Sequence, residues 1–190
     1  AVHLDSTCYS VFDFNDPVTH SVEVWSNSAR FEFFAAADPE ELVGALSSRF
    51  GRQPPLPDWA IGGAIVGLKD GARSFDRLEQ FIKAGASVSG LWCEDWAGIR
   101  ETSFGRRLFW DWRRDRQRYP DLPERIAALK KQGIRFLAYA NPYLAVDGIL
   151  YETAQELGHF ARRQDSDDPY LVDFGEFDCG VLDFTRAQTR

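Results

Sequence analysis

Apolar and polar residues alternate over short runs in the first 37 positions, most clearly in SVEVW (Ser21 to Trp25) and RFEFF (Arg30 to Phe34). A period of two with Asp-Pro and Ser-Asn-Ser turn signals between the runs predicts half-buried strands, which we read as the end of a β-sandwich. The pattern then lengthens to that of a helix. Asp38 is placed to cap it, Pro39 opens the first turn, Glu41 completes a capping box and Gly51 follows the last turn. The next nine residues, GRQPPLPDW (Gly51 to Trp59), hold three prolines and predict a stiff, extended connector. The expected division is therefore a small β domain over 1–50, a connector over 51–59 and a second domain over 60–190.

From Trp59 onward strand and helix patterns alternate. AIGGAIVGL predicts a strand, Ser74 to Ala84 a helix stopped by Gly85, SVSGLWC a strand, Asp121 to Gln132 a helix stopped by Gly133, and IRFLAYANP a strand. The first helix carries Phe75, Leu78, Phe81 and Ile82 on one stripe, and the second carries Ile126 and Leu129 behind a capping box of Asp121 and Glu124. Such alternation implies parallel strands joined by crossover helices. Three βα units are too few to close a (β/α)8 barrel, which takes about 250 residues, and a doubly wound sheet would carry a G-x-G-x-x-G loop that Gly62, Gly63 and Gly67 do not form. The predicted fold class is α/β, a partial (β/α)8 TIM barrel preceded by the end of a β-sandwich. After Asn141 a helix over Ile149 to Leu157 is stopped by Gly158, and YLVDFGEF with CGVLDFT forms a hairpin.

Composition narrows the function classes. At 190 residues, 44% hydrophobic and 27% charged, the chain is an ordinary globular protein. A net charge of -7 argues against a surface for nucleic acid or anionic lipid, so an anionic ligand would have to meet a local basic cluster such as Arg106 to Arg118. Cys8, Cys93 and Cys179 are odd in number and far apart, which suits reduced thiols in a cytoplasm and offers no zinc spacing. The longest apolar run, Trp59 to Leu68, falls short of a membrane span, and no targeting segment is visible. The beginning at Ala1 and the end at Arg190 look like cuts through a longer protein.

The candidate chemistry lies in WCEDWAGIRETSFGRRLFWDW (Trp92 to Trp112), which holds four of the six tryptophans among paired charges. Flat apolar faces beside fixed charges suit a sugar carrying an anionic group. Side chains at the C-terminal ends of parallel strands face the site in such folds, and those ends carry Lys69, the Glu94 to Trp96 group, and Asn141 with Tyr143. Taken singly, Lys69 reads as a solvated charge, Glu94 and Asp95 as a loop ion pair, Trp92 as strand packing, and Trp96, Trp110 and Trp112 as packing under a loop. Their coincidence on one face favours a site. DFGEF (Asp173 to Phe177) reads as a strand turning over at Gly175 with surface acids on either side. DSDDPYLVDFGE resembles a calcium loop except that Tyr170 stands where glycine is required, so a solvated acidic turn is expected. His3, His20 and His159 have no metal or nucleophile spacing.

Taken together, GLWCEDWAGIRETSFGRRLFWDW, FLAYANPYL and YLVDFGEFDCGVLDFT closely resemble the sulfoquinovosidase branch of glycoside hydrolase family 31, and the similarity runs from GRQPPLPDW onward. The resemblance implies a retaining α-glycosidase that releases sulfoquinovose, a 6-sulfonated glucose, from small glycosides such as sulfoquinovosyl glycerol, on a (β/α)8 barrel preceded by a β-sandwich. It implies no metal and no organic cofactor. By position it assigns Lys69, Glu94, Arg107 and Trp110 to recognition of the sulfonated sugar, the Lys-Glu version of that branch's motif, with a further tyrosine beyond Arg190. It also implies that the catalytic aspartates lie on later strands, and that Asp173 matches an earlier DFGE motif and not the nucleophile. The rival readings are a general family 31 α-glucosidase or xylosidase, and a sugar-binding protein without catalysis.

Overall fold

A computed structural model describes all 190 residues and divides them into two compact units, Ala1–Pro55 and Leu56–Arg190. In the first unit β1 (Val2–Leu4) pairs antiparallel with β4 (Phe31–Phe33), and β2 (Ser10–Asp13) with β3 (Ser21–Val24). These remain two separate two-stranded ladders, so two facing sheets are not visible. Helix α1 (Pro39–Phe50) starts where Asp38 Oδ1 accepts from the Glu41 amide at 2.9 Å. Glu41 accepts from the Ala37 amide at 3.2 Å, one residue earlier than a capping box requires. Arg49 forks onto Glu32 at 2.7 and 2.6 Å. No residue of this unit is fully buried.

In the second unit the expected extended connector ends in a one-turn helix, α2 (Asp58–Ile61), because Pro57 at its N-cap presets an entering φ of -64°. Three parallel strands follow in the order β5 (Ala64–Leu68), β6 (Val88–Cys93), β9 (Arg135–Ala138), joined by α3 (Arg73–Lys83) and α4 (Leu122–Lys131). Both helices cover the same sheet face: Phe75, Leu78, Leu122 and Leu129 share one core with Leu68, Leu91, Cys93 and Tyr119. A doubly wound sheet would carry helices on both faces, so this arrangement is the partial-barrel one, without closure. Alternation explains the other face, where Ile65 and Trp92 point away from the helices and stay exposed.

Two details depart from expectation. Phe81 is exposed because it lies about 60° further round α3 from Leu78, beyond the stripe made by Phe75, Leu78 and Ile82. Asp121 precedes α4 without a side-chain cap, its carboxylate turning instead to Arg125 at 2.8 Å.

The remaining elements sit beyond the ends of the parallel strands. β7 (Ile99–Thr102) and β8 (Gly105–Leu108) form an antiparallel hairpin. β10 (Tyr143–Ala145), β12 (Asp178–Val181) and β11 (Leu171–Asp173) form a second sheet in that order, and α5 (Ile149–Glu156) packs on it through Leu144, Tyr151, Ala154 and Phe160. No helix is long and apolar enough to cross a membrane.

Candidate functional site

The site begins where β5 and β6 end. Their register places Leu68 beside Cys93, so the next residues, Lys69 and Glu94, leave the sheet side by side. Lys69 Nζ lies 3.5 Å from Glu94 Oε2, with the lysine side chain 69% exposed and the glutamate 31%. Asp95 turns the other way into the core. Its carboxylate, 0% exposed, accepts from the Gly71 amide at 3.2 Å, from the Arg118 guanidinium and from the Tyr119 hydroxyl. Both acids are ion-paired as a loop pair would be, but to different ends: Glu94 meets Lys69 at the site, and Asp95 ties three segments together beneath it. Burial pushes the neighbouring Cys93 thiol up to about 12, against the pull of its contact with Tyr119, so it stays a thiol and not a nucleophile.

Next comes the β7–β8 hairpin, which reads as loop in sequence because the strand positions of IRETSFGRRL are apolar only at Ile99 and Leu108. Gly105, at φ 93°, lets the chain reverse after Ser103 and Phe104. Arg100 stands directly opposite Arg107, a like-charged cross-strand pair that would be unfavourable if both heads stayed together. They part. Arg100 forks onto Asp147 at 3.1 and 2.8 Å and lies over the rings of Phe109 and Phe177 at 4.8 and 4.2 Å. Arg107 has no hydrogen-bond or ion-pair partner in the chain, and its guanidinium lines a cavity.

Residues Trp110, Asp111 and Trp112 send three neighbouring side chains to three tasks. The Trp110 ring packs on Tyr143, Phe174 and Phe177 at 5.7, 4.8 and 5.8 Å, and its buried indole N–H has no acceptor. Asp111 is buried and accepts from the Leu150 amide at 3.2 Å and from Arg113 at 2.9 Å. Trp112, at φ 49°, donates to the Tyr143 carbonyl at 2.6 Å and meets Trp96, which donates to the Tyr139 carbonyl at 2.8 Å. Trp96 and Trp112 are thus packing residues with satisfied donors. Trp92, expected to pack within its strand, is half exposed on the open sheet face.

The cavity so formed measures about 560 Å3 and brings together all four sequence-predicted residues, Lys69, Glu94, Arg107 and Trp110. Arg106 and Arg118 add charge to its wall, and Ile99, Leu108, Phe174 and Phe177 supply apolar surface. Arg106 is paired with Glu101 and Arg118 with Asp95, and Lys69 lies beside Glu94, which leaves Arg107 as the unpaired cation on the wall of a net-acidic chain. Asn141 stays outside, accepting from the Tyr143 amide at 2.9 Å. Phe174 and Phe177 were missed because DFGEF read as a surface turn; the available signal was two large aromatics flanking Gly175-Glu176, costly to leave in water. Glu176 is also more than a surface acid, since the Ser103 amide donates to both its oxygens at 3.0 Å. The acidic stretch 165–168 is a solvated turn, with Arg162 on Asp167 and Ser166 on Asp168. No group of three or more metal-ligating side chains exists.

Residues 53–190 match the glycosyl hydrolases family 31 TIM-barrel domain. A sulfoquinovosidase of Agrobacterium fabrum (strain C58) is 57% identical over 186 residues, covering 98% of this chain and 28% of the relative. A sulfoquinovosidase of Escherichia coli (strain K12) is 41% identical over 187 residues, 98% of this chain and 27% of the relative. A family 31 sulfoquinovosidase from E. rectale, solved with an aza-sugar inhibitor, superposes with a TM-score of 0.85 at 44% identity, over 99% of this chain and 28% of that one. The chain spans little more than a quarter of the length of these relatives.

Proposed function

Because the chain belongs to glycosyl hydrolase family 31, we propose that the protein of which it forms part is a sulfoquinovosidase, a retaining α-glycosidase releasing sulfoquinovose from small α-sulfoquinovosides. One observation carries this reading. The indole N–H of Trp110 is buried with no acceptor in the chain, and the Arg107 guanidinium on the same wall is exposed and unpaired. For the indole, a buried donor without an acceptor costs roughly 1–3 kcal/mol, a deficit that a sulfonate oxygen would remove. A guanidinium binds such oxygens through parallel charge-assisted bonds. Lys69 and Glu94, 3.5 Å apart on the same cavity wall, would serve the sugar hydroxyls beside the sulfonate, the cation donating and the carboxylate accepting. An unsubstituted glucoside offers nothing for Arg107 to neutralise.

Retaining hydrolysis needs two carboxylates about 5–5.5 Å apart. Glu94 is the single carboxylate on the cavity wall, so the catalytic pair is assigned to chain beyond residue 190. In the same reading residues 1–50 end a β-sandwich, 51–59 connect, and 60–190 begin a (β/α)8 barrel that later strands close. Three free cysteines, two of them buried, support a cytoplasmic setting. Initial rates of the full-length protein on aryl α-sulfoquinovoside and aryl α-glucoside test the proposal. A kcat/KM at least about a hundredfold higher for the sulfonated substrate is expected. A preference for the glucoside would make the protein a general α-glucosidase.

A further inference from the structure

The turn between β11 and β12 holds both sides of the anion site at once. Its Phe174 and Phe177 pack against Trp110, and its Glu176 grips the hairpin that carries Arg107. The Ser103 amide reaches Glu176 Oε1 and Oε2 at 3.0 Å each, the Ser103 hydroxyl donates to Oε1, and the partners are 73 residues apart. The Phe104 ring lies over the same turn, 3.6 Å from where a Cβ on Gly175 would stand.

We propose that Glu176 is a positioning residue for anion recognition: by holding the Ser103 turn it fixes the hairpin so that Arg107 and Trp110 converge on one ligand. A two-stranded ribbon of four residues a side is marginal alone and takes its orientation from what it is fastened to. This ribbon has two fastenings, Arg100 on Asp147 near its base and Ser103 on Glu176 at its tip. With the tip released it can pivot about Arg100, and Arg107, directly opposite, turns with it. Glu176 itself lies outside the cavity wall. The inference rests on the reading of Arg107 as the sulfonate ligand.

The test uses the full-length protein and Glu176→Gln. We expect amide hydrogen exchange over residues 99–108 to quicken about tenfold or more, and KM for aryl sulfoquinovoside to rise about tenfold with kcat within about twofold, the pattern of lost uniform binding. Ser103→Thr, which keeps both donors, should stay near wild type. Ser103→Ala removes only an exposed hydroxyl and should raise KM about threefold even if the glutamine variant does not fold. Unchanged exchange in the hairpin, or a fall in kcat at constant KM, overturns the proposal. A wild type that fails to turn over sulfoquinovosides overturns the functional reading instead, and the exchange measurement still decides whether Glu176 holds the hairpin.

Discussion

Arg107 and Trp110 offer the cavity donors of different kinds, a charged fork and a single neutral N–H. Replacing Arg107 by Lys keeps the charge and loses the fork, so kcat/KM for sulfoquinovosides should drop about 10- to 100-fold, the worth of a charge-assisted bond of roughly 1.5–3 kcal/mol. Glucoside turnover should move much less, and equal losses on both substrates would make Arg107 structural. Lys69 and Glu94 meet at 3.5 Å, but the lysine is too exposed for strong coupling. A double-mutant cycle of Lys69→Gln and Glu94→Gln should therefore give a coupling energy of roughly 0.2–1 kcal/mol, the range of surface pairs; more than about 2 kcal/mol would mean that substrate excludes water from them. Strand ends point to Lys69 and Glu94 in the sequence, whereas Arg107 and Trp110 are singled out only by the resemblance to the family 31 sulfoquinovosidases. The roles of Asp95, Asp111 and Glu176 were not legible there, since each depends on a partner at least 23 positions away.

Helix α5 shows the same dependence for an element. Its N-cap, Gly148, has no side chain, and Asp111 supplies the missing acceptor to the Leu150 amide from 39 residues upstream. A Cβ on Gly148 would stand 2.6 Å from Asp111 Oδ1. Gly148→Ala and Asp111→Ala should each lower stability by about 1–2 kcal/mol, as loss of a cap does, read from urea unfolding of the purified chain. An unchanged midpoint in both would show that α5 needs no cap. The hairpin fastenings carry a pH dependence. Hydrogen bonding from Arg100 holds the Asp147 carboxyl below its usual range, against a smaller opposing effect of burial, and the Ser103 hydroxyl and amide do likewise for Glu176. A carboxyl with a lower pKa folded than unfolded stabilises above its unfolded value, near 3.9 for Asp, and that contribution fades as pH falls through the folded value. The stability difference between wild type and Asp147→Asn should thus be at most about 1 kcal/mol at neutral pH and shrink as the solution is acidified below the ordinary carboxyl range. A difference that grew on acidification would refute the assignment. Helices and parallel strands were readable from their periods and stop glycines, whereas the hairpin was hidden by arginines at positions a strand usually gives to apolar residues.

Across the whole chain the buried residues all belong to Leu56–Arg190. Amides of Ala1–Pro55 in the isolated chain should therefore exchange through openings of lower free energy than those at Leu91 and Cys93, which line the central strand of a packed core. Equal protection in both units would contradict this. The same chain should bind sulfoquinovose without hydrolysing aryl sulfoquinovoside, since its cavity wall holds a single carboxylate. Turnover above a buffer blank would end that assignment. The parallel order β5-β6-β9 was inferable from βα alternation, while the joining of the hairpin to the second sheet was not, because no local pattern encodes it. That joining also sets a schedule for biosynthesis. Ser103 leaves the ribosome 73 residues before its acceptor, and Arg100 leaves 47 before Asp147. At about 5–20 residues per second the hairpin tip waits roughly 4–15 s for Glu176. The parallel strands and their helices need nothing downstream of Ala138 to pair, so the nascent chain can assemble the core around Leu91 before the hairpin is fastened.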